Sequence, residues 1–193
     1  FMGLGVLTKG PVAYLPVPIF IIFGVFQRKV KAFWNRDLLW GILLSLLVVF
    51  LWLLPACWVG GEAYTKRILF GQTVGRLLGA EKYFHREPIY FYLIRFPVDF
   101  LPWIVLFPSA LILGFRNKEK LGKEFLFLII WFLFIFFFFT LSKGKKDNYL
   151  LPLHPAAAIL IGTLWDSEFR SSKRGWGAVS GLVVLAFIFL IGL

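Results

Sequence analysis

The chain has 193 residues, 60% of them hydrophobic and 24 of them Phe, and its mean hydropathy of +0.82 lies far outside the range of a soluble domain. Its positive residues, 21 Lys and Arg against 10 Asp and Glu, fall in short clusters between apolar runs rather than along one polar face; this argues against nucleic acid and for anionic lipid head groups and lipid phosphates as partners. The single cysteine, Cys57, sits in the apolar stretch "WLLPACWVG", which excludes a disulfide framework and a zinc–thiolate site and leaves a packing role.

Crossing a bilayer takes about 20 apolar residues in a helix, because backbone groups cannot go unpaired in lipid. Five runs, at roughly 11–27, 38–59, 88–115, 125–141 and 149–165, meet that need, and a sixth, 177–193, reads as cut short at Leu193. The expected fold class is all-α, a polytopic transmembrane bundle of about six spans forming one domain over 1–193. Neither Phe1 nor Leu193 looks like a natural terminus, and no cleavable signal peptide is recognisable, so the chain reads as a piece of a longer polytopic protein.

At the mouth of the first run stands "TKGP". Pro11 suits a first helical turn and Gly10 a tight entry, leaving Lys9 either snorkelling to the interface or facing a ligand. The loop 27–37 carries four Lys and Arg, the loop 116–124 four and the loop 166–176 three, so the positive-inside tendency puts these three on the cytoplasmic side. Segment 59–87 then lies on the other side. It is too polar to span, and Ile68, Leu69, Phe70, Val74, Leu77 and Leu78 recur at near-helical spacing, as in an amphipathic helix lying in the interface. Near its end His85 could serve as metal ligand, general base or interfacial polar group, with Arg86 beside it. In the next run, Arg95 and Asp99 are four apart and read as a pair on one helix face, with Pro97 kinking the helix between them.

"LSKGKKDNYLLPLHP", residues 141–155, places Lys143, Lys145 and Lys146 on the side where lysines are disfavoured. Two explanations stand: a solvated tip whose lysines snorkel to lipid phosphates, or a dedicated anion site. Lys9, His85–Arg86 and Lys143–Tyr149 come from three places in the chain, yet the topology gives them one common depth. Cations above apolar walls suit a ligand with a phosphate head and a hydrocarbon tail. Lys, Arg and Tyr would hold the phosphate as point charge, fork and hydroxyl donor, and would stabilise it as a leaving group. On this reading Lys143 and Lys145 face the phosphate and Lys146 is solvated. His154, in "LPLHP", reads as a packing or hydrogen-bonding residue.

Three stretches, "GLGVLTKGPVAYLP" at 3–16, "HREPIYFYLIRFPVDFLPW" at 85–103 and "SKGKKDNYLLPLHPAAAIL" at 142–160, resemble in order and spacing the bacterial membrane glycosyltransferases of the aminoarabinose transferase and protein O-mannosyltransferase group. The resemblance implies a GT-C type fold in the bacterial inner membrane. It implies an inverting transfer of sugar from a polyprenyl-phosphate donor to lipid A, protein or another acceptor at the periplasmic or extracellular face. It makes Lys9, Arg86, Lys143, Lys145 and Tyr149 candidates for contacts to the donor phosphate. His85 becomes the candidate ligand of a divalent metal, the one cofactor implied. The family's catalytic base, an aspartate of an early acidic loop, belongs ahead of the region corresponding to Phe1, so no catalytic residue is assigned within 1–193 and the piece alone is expected to be inactive. His154 departs from the aromatic that commonly precedes the last proline of the third motif. The alternative function is a transporter or flippase of a lipid-linked substrate, against which stand the lack of a convincing internal repeat and the clustering of cations at one face.

Overall fold

The computed structural model describes residues 1–29, 36–68, 87–116 and 118–164. Among them the regular elements are helical throughout, as expected: α1 (Met2–Lys9), α2 (Pro16–Phe26), α3 (Arg36–Lys66), α4 (Phe91–Asp99), α5 (Phe107–Arg116), α6 (Lys118–Leu141) and α7 (His154–Leu164). Short 3-10 helices occupy Gly10–Tyr14, Trp103–Val105 and Asp147–Leu153. The chain divides into two compact units, one of Phe1–Glu87 with Leu141–Lys145, the other of Pro88–Thr140 with Lys146–Leu193. Among the described residues, two helices are long and apolar enough to cross a membrane, and up to four segments are if each of two bent helix pairs counts as one span. The expected sixth run at 177–193 and the loop 166–176 lie outside the described residues.

In the first unit α3 is the long apolar rod, with a mean hydropathy of 2.6 over its best window and Pro55 inside it. Leu39, Trp40, Leu44, Leu47 and Leu51 point outward. An exposed apolar surface on a helix whose own backbone bonds are closed is what lipid requires, and the chain is a membrane protein. Helix α1, which the sequence reading left out, packs on α3: a Cβ on Gly3 would come within 2.8 Å of the Ser45 carbonyl oxygen, so only glycine lets the two backbones approach this closely. After Lys9 the chain turns at Gly10, whose φ of 74° is open to glycine, and Pro11 starts the 3-10 helix. The first expected span, 11–27, is thus part of a longer piece running from Met2 to Phe26 with a bend of 44°. At its other end α3 runs beyond the expected limit at Val59, past Gly61 at φ 70°, to Lys66. The remainder of the expected interfacial helix, at 69–86, falls outside the described residues.

In the second unit the span expected over 88–115 is sharply bent rather than straight. Helix α4 and the segment Trp103–Arg116 meet at an angle of 112°. Pro97 and Pro102 each remove a backbone N–H and crowd the preceding turn, so the helical ladder cannot be carried through this stretch. Helix α6 holds the fourth expected span, with the non-helical Gly122 near its start. The fifth begins as a 3-10 helix, Asp147–Leu153, and becomes α-helical at His154. Phe96 sits at the centre of this unit, its ring 5.3 Å from Phe100, 5.5 Å from Phe107 and 5.3 Å from Phe132. Leu150, Leu153, Ala156, Ala157 and Leu160 are fully buried, so the segment that carries the third motif is anchored on the core.

Candidate functional site

The polar segment 142–149 begins where α6 ends. Its first half closes on itself: Ser142 Oγ donates to the Gly144 carbonyl at 3.3 Å, and Lys145 Nζ donates to the Ser142 carbonyl at 2.8 Å. Lys145 is 8% exposed, whereas Lys143 and Lys146 are exposed. An ammonium has three N–H donors, so the bond to Ser142 leaves two to hold a second acceptor. Burial strengthens that preference, since a buried charge is stable only when it is paired.

The second half is tied to α4. The hydroxyl of Tyr92, a residue with no exposed surface, donates to the Lys146 carbonyl at 2.9 Å and accepts from the Lys146 N–H at 3.0 Å. The same carbonyl accepts the N–H of Tyr149 at 3.2 Å, which closes the turn leading into the 3-10 helix. Beside it the Arg95 guanidinium joins two carboxylates: Nε lies 3.0 Å from Asp99 Oδ1, and Nη2 lies 3.4 Å from Asp147 Oδ2. Tyr149 is half-buried, its ring 5.1 Å from that of Phe139.

Of the residues singled out in the sequence, Lys9 stands exposed at the turn between α1 and the following 3-10 helix. It belongs to the first unit together with Lys143 and Lys145; Tyr149 belongs to the second. Lys146 is exposed as expected, and Lys145 is the lysine of the cluster drawn into the fold. His85 and Arg86 lie outside the described residues. The Arg95–Asp99 pair is present at the spacing read from the sequence, but Asp147 joins it from the polar segment. His154 packs and hydrogen-bonds, with Nδ1 3.0 Å from the Leu150 carbonyl and its ring 5.5 Å from Phe100. Tyr92 was missed, because its partner is 54 residues away and nothing in "PIYFY" distinguishes a structural tyrosine from its neighbours.

Among the described residues no group of three or more His, Cys, Asp and Glu side chains could hold a metal ion. The first unit also holds an apolar cavity of about 560 Å³ between α1, α2 and α3, with the Tyr14 hydroxyl and Ser45 Oγ bonded to each other at 2.6 Å on its wall.

No protein-family model matches the chain. It is 33% identical over 193 residues, 95% of its own length, to the undecaprenyl phosphate-α-4-amino-4-deoxy-L-arabinose arabinosyl transferase of Pseudomonas paraeruginosa. A second enzyme of that name, from Pseudomonas fluorescens, is 30% identical over 99% of the chain. The fold of ArnT from Cupriavidus metallidurans, crystallised with undecaprenyl phosphate, superposes on 98% of the chain with a TM-score of 0.78 at 24% identity, and covers with it 34% of that structure. The chain spans about a third of the length of the curated relatives it matches. By sequence and by fold the chain is similar to about a third of these bacterial membrane arabinosyl transferases and shares the helical membrane fold of that part of ArnT.

Proposed function

We propose that this chain forms part of a membrane glycosyltransferase that takes a sugar from an undecaprenyl-phosphate-type donor and delivers it to a lipid A acceptor. The work would be done at the outer face of the bacterial inner membrane. The observation that carries the reading is the 33% identity, over almost the whole chain, to transferases whose names state such a donor. Its chemistry agrees with what the 142–149 segment offers. A sugar leaving a polyprenyl phosphate leaves negative charge on phosphate oxygens, and an ammonium with two donors uncommitted among the described residues, as at Lys145, stabilises that charge as it develops. Lys143 adds a second cation and Tyr149 a hydroxyl donor, both within the same eight-residue stretch. Lys9 and Arg86 complete the proposed phosphate contacts, and His85 is the proposed metal ligand.

The test is sugar release from an undecaprenyl-phosphate-linked donor in membranes carrying the complete natural protein, with lipid A as acceptor. Donor consumption that depends on lipid A, and falls at least about tenfold in Lys145→Met, supports the reading. Donor that binds or crosses the membrane without any release of sugar overturns it in favour of a transporter.

A further inference from the structure

We propose that Tyr92 is a positioning residue for donor binding, its hydroxyl setting the main chain at Lys146 and, through the carbonyl they share, the placement of Tyr149. The proposal rests on the reading above, in which Tyr149 touches the donor phosphate. The ring of Tyr92 is wholly buried, and a phenylalanine would fill the same volume. What the hydroxyl adds is two hydrogen bonds, and both go to Lys146, one to its N–H and one to its carbonyl. That carbonyl also receives the N–H of Tyr149, so two donors converge on one oxygen and the turn 146–149 is fixed at its first peptide group.

A second tether acts one residue on, where Asp147 meets the guanidinium of Arg95. Both tethers start from α4, one turn apart on that helix, and both end on the first residues of the segment that carries Tyr149. A surface turn of this composition would otherwise sample many conformations, and ordering it in advance lowers the cost of closing it around a ligand. The deletion therefore should weaken binding of the donor and leave the chemical step alone.

The experiment compares Tyr92→Phe, Tyr149→Phe and the double variant in the complete membrane enzyme, reading KM and kcat with an undecaprenyl-phosphate-linked sugar and binding of undecaprenyl phosphate itself. Tyr92→Phe is expected to accumulate in the membrane as the natural protein does, to raise KM about five- to tenfold and to keep kcat within about twofold. The double variant should bind donor no worse than Tyr149→Phe, because a hydroxyl already removed cannot be misplaced. Losses that multiply in the double variant, or a natural KM in Tyr92→Phe beside a raised KM in Tyr149→Phe, overturn the proposal and leave the phosphate site standing. A natural KM in Tyr149→Phe overturns the site assignment, and the proposal with it. Asp147→Asn, at an exposed position, removes the second tether without touching the core. It is expected to raise KM about threefold at constant kcat, and to do so no further once Tyr149 is Phe. If Tyr92→Phe fails to accumulate, this pair decides in its place.

Discussion

Lys145 folds back so that its ammonium meets the carbonyl oxygen of Ser142 at 2.8 Å, and the lysine of the cluster that is least exposed is also the one that closes the turn. This double duty separates the variants at the position. Lys145→Met keeps the aliphatic stem and removes the charge, so it should lose donor use at least about tenfold. Lys145→Arg restores a cation but replaces a point charge by a planar fork, and should recover only part of the activity. Lys118→Ala and Lys120→Ala, at the start of α6, should stay within about twofold of the natural enzyme, measured as donor kcat/KM in membranes. Equal losses at Lys145 and at Lys118 and Lys120 would remove the 142–149 segment from the phosphate site.

Arg95 holds two carboxylates at unequal depth. The side chain of Asp99 is 23% exposed and that of Asp147 60% exposed, and the Asp99 contact is also the shorter. Solvent screens the outer pair more strongly, so a double-mutant cycle on Arg95 and Asp99 should give a coupling of about 1 kcal/mol and one on Arg95 and Asp147 about half of that or less. Asp99→Asn should therefore lower the melting temperature in detergent more than Asp147→Asn does. The reverse order would show that the outer contact carries the stability.

The elements legible in the sequence are those fixed by local rules. The apolar runs that became α3 and α6, the turn at Gly10–Pro11 and the i,i+4 pair of Arg95 and Asp99 all follow from composition, backbone freedom or helical spacing. What escaped depends on distant partners. Helix α1 contains Gly3 and Gly5, poor helix formers whose value appears only when Ser45 and Ala13 are brought against them. The 112° break needed the combined effect of Pro97 and Pro102, of which only the first was read as a kink. In the polar segment, charge counting found three lysines but could not tell that one is buried, that Asp147 is held by Arg95 or that Tyr92 reaches across 54 residues to the backbone.

Glycines of the first unit offer a paired test of close packing. At Gly3 an added methyl meets the Ser45 carbonyl at 2.8 Å and Val48 at 3.1 Å, and backbone cannot step aside cheaply. At Gly41, on the same helix as Ser45, it meets nothing within 4 Å. Gly3→Ala is expected to cost about 1–3 kcal/mol through overpacking, and Gly41→Ala to be neutral or slightly stabilising because alanine is the better helix former. Thermal unfolding of both variants in the same detergent checks this. A neutral Gly3→Ala would mean that α1 does not pack on α3 as described.

His154 is the remaining residue whose chemistry invites a functional role, and its surroundings argue for a structural one. A carbonyl oxygen can only accept, so the 3.0 Å contact to Leu150 requires the proton on Nδ1. The ring lies 6.1 Å from that of Phe96 and 5.5 Å from that of Phe100, within the aromatic core of the second unit. His154→Phe keeps the ring and loses one hydrogen bond, so it should cost about 1 kcal/mol, whereas His154→Ala also empties the ring's volume and should cost roughly 3 kcal/mol or more. Neither variant should change donor KM or kcat once the protein is folded. A kcat that collapses in His154→Phe at unchanged stability would instead place this histidine among the groups that touch the reacting atoms.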